Sequence, residues 1–453
     1  MTAVVDRLEQ ALPGRVDTSA SARTAARADK SGHASAGMPL AVLYPESVED
    51  VQTIMRIATG TRTPVVPRGA GTGLAGGANT GDGELSLSLM RMNRLLEVQP
   101  DDLIAVVEPG IINAHLNNAL RAYGVWWAPD PASRELSTVG GNIATGAGGL
   151  LCAKYGVVRD AVIGVDVVLA DGTLMHCGRR TLKGVAGLDL TSLFIGSEGE
   201  LGIIVGATLK LGRLVTGTTC TLTAVFASVR EAAAGASAVT AAGIQPAIME
   251  LIDATSLEAV HRLLTLAPPT PGASQLTIQT DGPAARDEAE AIATLLASRG
   301  ATVEVTDDPD TGAELLRIRR SMHPAMETLG TTLIEDVSVP RSRLADMFDE
   351  IARIEQAYGI TIPTVAHAAD GNLHPNFVFA GVEVPEHIWQ AADDLFTSAL
   401  RLGGTLTGEH GVGVLKSRWL KAELGDAQWE LQQRITRAFD PAGILNPGKV
   451  FSL

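Results

Sequence analysis

Hydrophobic and polar positions alternate along this chain between helical and strand periods, and that alternation lays out its elements. Residues 1–12 place apolar side chains on one side of a short amphipathic helix, and the Ala/Ser/Arg-rich stretch after it reads as a poorly ordered connection. Ser47 and Asp50 form a capping signal, and Val51, Ile54, Met55 and Ala58 follow at helical spacing. TPVVP at 63–67 reads as buried strand, and ELSLSLMRM at 84–92 alternates as a strand does. VIGVDVVLADGTL at 162–174 predicts strand, Asp-Gly turn, strand. Near the C-terminus Leu431, Ile435, Ala438 and Phe439 keep the 3.6-residue period and are expected in a core.

Three glycine-rich runs interrupt these elements: PRGAGTGLAGGANTGDG at 67–83, STVGGNIATGAGG at 137–149 after the PDPAS turn, and IGSEGELGII at 195–204. The first contains GTGLAG, a literal dinucleotide fingerprint. That fingerprint requires a helix to open at once behind it, whereas here further glycines and then a strand follow. No GK[ST] follows either. What the loop offers is bare backbone N–H groups able to wrap a pyrophosphate as an anion nest, or else a simple connector. Three such loops on a β-rich framework fit one long cofactor laid across several strand ends.

Composition narrows the class. At 453 residues, 45% hydrophobic and 19% charged, the chain is long enough for two or three globular domains. Its net charge of -15, without a basic stripe, excludes a nucleic-acid surface. Cys152, Cys177 and Cys220 lie far apart with no CxxC, which predicts neither a disulfide framework nor a thiolate metal site. With no signal peptide and no long apolar run, the expected location is cytoplasmic, with a peripheral membrane association left open.

The candidate chemistry lies in HAADGNLHPNF at 367–377 and GEHG at 408–411. Asp370-Gly371 predicts a two-residue turn, which would set His367 directly opposite His374 on neighbouring strands. Such pairs hold Cβ atoms roughly 5 Å apart. Two imidazoles at that separation can reach one divalent ion at about 2.0 to 2.1 Å each. Asn376 shares their sheet face by the period-2 rule. Glu409 is the natural third ligand, leaving His410 as a base. Taken alone, the hairpin also fits a solvated surface and GEHG a plain turn.

The three glycine-rich runs, PVVPRGAGTGLAGGA, TVGGNIATGAGG and GSEGELGIIVGATLKL, resemble the vanillyl-alcohol-oxidase type of FAD-binding domain. HAADGNLHPNF, GEHGVG and FDPAGILNPGKV resemble its FAD-linked 2-hydroxyacid dehydrogenase branch, which holds D-lactate dehydrogenase, the glycolate oxidase catalytic subunit and D-2-hydroxyglutarate dehydrogenase. The likeness runs from about residue 38 to the end. It implies an α+β fold: a connector at 1–37, an FAD domain of two subdomains at 38–215, and an antiparallel sheet with helices at 216–453 that caps the flavin and carries the substrate and metal site.

By the same resemblance the backbone of Pro67, Arg68, Gly69, Ala70, Gly71, Thr72 and Gly73, with Gly76 and Gly77, holds the pyrophosphate. Ser137, Thr138, Gly141, Asn142, Ala144 and Thr145 run along the flavin, and Gly202 and Ile203 add backbone contacts. Covalent members use a histidine in the first loop, and none stands between Pro64 and Gly83, so FAD is expected non-covalent. Arg319, in LLRIRRSMHP, matches the arginine that binds the substrate carboxylate, with Arg317 and Arg320 as competitors. Asn376 hydrogen-bonds substrate.

The implied reaction oxidises a D-2-hydroxy acid by hydride transfer to FAD, with one zinc, manganese or iron(II) ion at His367, His374 and Glu409 and with His410 as base. Ile334 stands where the D-2-hydroxyglutarate enzymes carry a lysine, which favours a monocarboxylate, D-lactate before glycolate. The expected electron acceptor is a quinone, a cytochrome or an electron-transfer flavoprotein, and the branch admits a homodimer or a larger complex. A non-redox FAD enzyme of the same fold is the distant alternative.

Overall fold

The computed structural model describes residues 3–181, 183–381 and 383–451. The chain forms two compact units, one of Met1–Gly149, Gly156–Leu214 and Glu409–Leu453, the other of Leu150–Tyr155 and Val215–Gly408. One of the breaks between the units falls between Leu214 and Val215. Residues 409–453, expected with the second half, fold into the first unit, because Leu445 bridges to Val65 and Ile444 and Leu445 enter the core around Val65.

In the first unit a small sheet has the order Val16–Asp17, Ala41–Leu43, Leu85–Ser88, Val65–Arg68, its last three strands parallel. An antiparallel sheet follows, ordered Leu95–Gln99, Ile104–Val107, Ile203–Lys210, Val162–Val168, Leu174–Gly178. The helix Val48–Thr61 starts where Ser47 accepts a hydrogen bond from the Asp50 N–H at 3.2 Å, and Val51, Ile54, Met55 and Ala58 are all fully buried. The expected strand pair lies at Val162–Val168 and Leu174–Gly178, joined through the Asp-Gly turn.

Three expectations need correction. The stretch after the first helix is ordered: Ser19 caps a helix Ala20–Ala26, and the Arg27 guanidinium donates to the Ser35 carbonyl. The run at 137–149 contains a helix, Val139–Thr145, because Thr138 caps it and Val139 and Ile143 bury their side chains. Glycine is needed inside that helix at Gly140, where a Cβ would lie 2.5 Å from Pro109 Cβ and 2.9 Å from its carbonyl oxygen. In the last helix Ile435 and Phe439 pack on the core, but Leu431 and Ala438 are exposed, so the apolar stripe is narrower than its period suggested.

The second unit is built on one antiparallel sheet, ordered Thr302–Thr306, Thr218–Phe226, Ser274–Gly282, Ile248–Ile252, Thr364–His367, Asn372–Phe379, Thr331–Ile334, with Val337–Ser338 also paired to Asn372–Phe379. Leu150, Leu151 and Tyr155, which follow the helix Val139–Thr145 within ten residues, pack against Ile248 and Leu316 of this unit. Among the described residues, no helix is long and apolar enough to cross a membrane.

Glu200 anchors the returning C-terminal segment, accepting the Val450 and Phe451 N–H groups on Oε1 at 2.8 and 3.1 Å. Burial pushes its carboxyl up to about 7 from the ordinary 4.5, against those two hydrogen bonds. A carboxyl that binds its proton more tightly folded than unfolded costs stability as pH rises from 4.5 towards 7. Glu200→Gln keeps the accepting oxygen and removes the titration. Its Tm should therefore fall less than the wild-type Tm between about pH 5 and 8; parallel Tm profiles would show that this carboxyl does not titrate there.

Candidate active site

The sheet of the second unit brings its functional side chains to one face by register alone. Directly paired residues of an antiparallel ladder share a face, as do residues two apart on a strand. Glu250 pairs with His367, His367 with Asn372, and Ile334 with Asn376, while His374 lies between Asn372 and Asn376 in the period-2 series. Glu250, His367, His374, Asn376 and Ile334 therefore project from the same side of four neighbouring strands.

The hairpin differs in detail from the two-residue turn. Its strands end at His367 and begin again at Asn372, leaving a four-residue loop in which the Gly371 N–H donates to the His367 carbonyl at 3.0 Å. A type I′ turn needs positive φ at both central residues, and only Gly371, at +89°, has it. The register consequently moves by two residues, and Val365 rather than His367 faces His374. A shift of two preserves the face. The imidazoles still meet, as diagonal neighbours with ring centroids 5.0 Å apart and planes 82° from parallel. Both histidines are buried.

Behind them lies Glu250, which is fully buried and was not singled out from the sequence. One carboxylate oxygen accepts from His367 Nδ1 at 2.7 Å and the other from Arg319 Nε at 2.6 Å. Burial pushes this carboxyl up, but the charges of His367 and Arg319 and their hydrogen bonds outweigh it and hold the group below the usual carboxylate range. With the Nδ1 proton directed at a carboxylate, the His367 lone pair is on Nε2, the form that ligates a cation. The donor chemistry of the paired imidazoles thus fits a divalent metal. A lone glutamate inside IMELI, a strand buried at every position, was the sequence signal for such a partner.

The helix Pro309–Arg320 separates the three arginines. Arg317 pairs with exposed Glu314 one turn away, Arg320 is exposed, and Arg319 turns inward to Glu250. Arg319 binds Glu250 through Nε, so its two terminal nitrogens are the ones available to another carboxylate. The Asn376 amide nitrogen donates to the Pro363 and His374 carbonyls at 3.2 and 2.9 Å, which leaves Oδ1 as its acceptor. His374 Nδ1 lies 3.9 Å from Asp336, within reach of its charge but beyond a hydrogen bond.

In the first unit the run at 67–83 joins two parallel strands, Val65–Arg68 and Leu85–Ser88, with no helix between them, as the pattern after GTGLAG required. The Arg68 guanidinium holds the loop from below, donating to the Ala78 and Ala28 carbonyls at 3.0 and 2.8 Å, and burial pushes its pKa down. A Cβ at Gly69 would run into Thr138 Oγ1, and one at Gly148 into the Glu409 carboxylate. At Gly69, inside the loop, the missing side chain leaves bare backbone beside Thr138, which fits a pyrophosphate. Two expected donors are already engaged: the Gly76 N–H donates to Asp29 and the Gly141 N–H to Thr138 Oγ1. Pro67, Ala70 and Thr72 lie in this loop or at its strand end, Asn142, Ala144 and Thr145 in the helix Val139–Thr145, and Gly202 and Ile203 at the start of the strand Ile203–Lys210, where Gly202 packs on Val167. Glu409 and His410 follow in the same unit, both largely buried, with His410 Nε2 3.9 Å from Glu409.

Sequence comparison agrees with this architecture. Residues 39–178 match the FAD binding domain family, and residues 217–450 match the FAD linked oxidases, C-terminal domain. The chain is 39% identical over 421 residues to the glycolate oxidase subunit GlcD of Bacillus subtilis, covering 92% of this chain and 89% of that protein. It is 33% identical to a D-lactate dehydrogenase of Archaeoglobus fulgidus, covering 90% of each. Its fold matches the crystal structure of p-cresol methylhydroxylase with a TM-score of 0.81 at 17% identity, covering 99% of this chain and 96% of that one. The glycine-rich loops of the first unit, the antiparallel sheet and helices of the second and these relatives give one conclusion: the chain belongs to the FAD-linked oxidase family of flavoprotein oxidoreductases, in the vanillyl-alcohol-oxidase fold.

Proposed function

We propose that this protein oxidises a D-2-hydroxy acid to the 2-oxo acid, with D-lactate as the preferred substrate. The observation that carries the reading is the buried face on which His367, His374, Asn376 and the Arg319–Glu250 pair converge. The relatives named for glycolate oxidase and D-lactate dehydrogenase support a small hydroxy acid. The loop at 67–83 and the helix Val139–Thr145 of the first unit would hold FAD non-covalently, and FAD would supply the acceptor for a hydride from C2. His367, His374 and Glu409 would hold a divalent ion, which would supply Lewis acidity for loss of the hydroxyl proton.

The chain's own residues do the rest. The terminal guanidinium nitrogens of Arg319 take the substrate carboxylate in a planar, two-pronged contact, and Glu250 fixes that guanidinium through Nε. Asn376 Oδ1 accepts a hydrogen bond from substrate. His410 removes the hydroxyl proton, a task for which an imidazole with a pKa of about 6.5 is suited near neutral pH. With the proton on His410, bound FAD would take the C2 hydride so that the carbonyl is left, and a quinone, a cytochrome or an electron-transfer flavoprotein would take the electrons onward.

Specificity is assigned to Ile334. It stands opposite Asn376 on the same face and is half-buried. A second carboxylate on the substrate would lie against an aliphatic side chain and lose its water without gaining a partner. Glycolate and longer apolar D-2-hydroxy acids share the single carboxylate and follow D-lactate.

Anaerobic addition of D-lactate should bleach the bound flavin, chelation should abolish the bleaching, and a divalent ion should restore it; a yellow protein that no hydroxy acid bleaches would overturn the reading. Ile334→Lys should raise kcat/KM for D-2-hydroxyglutarate relative to D-lactate by about tenfold or more, the scale of one paired buried charge. Wild-type protein that prefers D-2-hydroxyglutarate would sink the monocarboxylate assignment. Glu250→Gln places an amide nitrogen against either Arg319 or His367 and should weaken metal binding by roughly 10- to 100-fold in a direct titration; unchanged affinity would remove Glu250 from the metal site.

A further inference from the structure

Glu198 is a buried carboxylate in the first unit that the proposed chemistry does not use. Its backbone is left-handed, with φ of 49°, a conformation that costs a non-glycine residue roughly 1–3 kcal/mol and persists only where surroundings enforce it. Four segments do so. Its N–H donates to the Ala144 carbonyl at 2.8 Å, at the end of the helix expected beside the flavin. Oε1 accepts the Val412 N–H at 2.6 Å and Oε2 the Gly413 N–H at 2.9 Å, directly behind the Glu409-His410 turn. The Asn446 amide nitrogen donates both to the Glu198 carbonyl, at 2.6 Å, and to the Gly77 carbonyl, at 3.0 Å. A Cβ at Gly77 would stand 2.8 Å from Glu198 Oε2, so the pyrophosphate loop rests on this carboxylate.

Each carboxylate oxygen takes one of two successive N–H groups, which fixes the orientation of both peptides. The turn is also zipped to the loop from the other side, since the Val414 and Leu415 N–H groups both donate to the Ala75 carbonyl, at 3.0 and 3.3 Å. Loop, helix and turn are thereby held through one side chain, in a lattice of backbone hydrogen bonds that tolerates little independent movement. Burial pushes the carboxyl up to about 7, while the two N–H bonds and the charge of Lys416 oppose it.

We infer that Glu198 is a positioning residue that couples FAD loading on the pyrophosphate loop to the geometry of the turn carrying Glu409 and His410. The inference rests on the reading of His410 as the base only for its effect on rate. Ordering of the loop by FAD is passed through Gly77 and Glu198 to Val412 and Gly413, and the turn is set for proton removal only when the flavin is in place.

Amide hydrogen exchange of the peptide covering 409–415, with and without FAD, tests the coupling independently of catalysis. In wild type, FAD should slow exchange there at least tenfold; in Glu198→Ala that protection should be lost, FAD should bind at least tenfold more weakly, and the FAD-saturated protein should reduce its flavin with D-lactate at least tenfold more slowly. Glu198→Gln, which keeps one acceptor oxygen, should fall between the two and carries the test if the alanine variant does not fold. Exchange at 409–415 that ignores FAD in wild type, or FAD protection that survives in both variants, would overturn the inference. His410→Gln serves as the control: wild-type flavin reduction in that variant would remove the base assignment alone, leaving the exchange result to decide the role of Glu198.

Discussion

A carboxylate shut away from water keeps its charge only if cations or hydrogen-bond donors replace its solvation. Glu250 meets that condition in the middle of a strand whose five residues are all buried. The Arg319 guanidinium must come inward from its helix to one oxygen, and His367 must turn Nδ1 to the other. Two constraints of the proposed site follow from this single requirement: which arginine of RIRR faces the interior, and which nitrogen of His367 can bind a cation. Replacing the three groups by apolar ones could cost the fold little, as buried ion pairs often break even against well-packed hydrophobes. A buried face that carries them together with His374 and Asn376 is suited to chemistry more than to packing.

The first unit solves a different problem with similar means. A glycine-rich loop without a helix behind it has no macrodipole to hold an anion and no helical frame to hold itself. Rigidity comes instead from side chains beneath the backbone. Arg68 ties the loop to the Ala25–Ala28 stretch, Asp29 takes the Gly76 N–H, and Asn446 takes the Gly77 carbonyl. The C-terminal segment is bound into the same unit by a pair of buried glutamates, Glu198 and Glu200, each spending its carboxylate on backbone N–H groups. Chain order is thus a poor guide to what packs together, and the residues after 408 belong to the unit that begins the sequence.

Where local physics dominates, the sequence was enough. The capped helix at 48–61, the strand before GTGLAG and the Asp-Gly-linked strand pair are set by short-range periodicity and by turn residues and stand where the pattern put them, while the strand after GTGLAG ends at Ser88 and gives way to a 3-10 turn at Leu89–Arg91, short of the 84–92 that its alternation suggested. The loop's failure to open into a helix was likewise visible in the residues that follow it. His367 and His374 were legible as partners because strand parity is local, and a register error of two residues leaves parity intact.

Tertiary structure alone decided the rest. Whether Asp370-Gly371 closes a two-residue or a four-residue loop depends on the pairing of Asn372–Phe379 with two other strands, which no local signal contains. Glu250 meets Arg319 across 69 positions and Glu198 meets Val412 across 214, separations at which a sequence offers only the hint of a charge in apolar company. Residue type and period act over a few neighbours and so specify elements and the chemistry they can carry. Which buried charge finds which partner is settled only when distant strands come into register and water leaves the space between them.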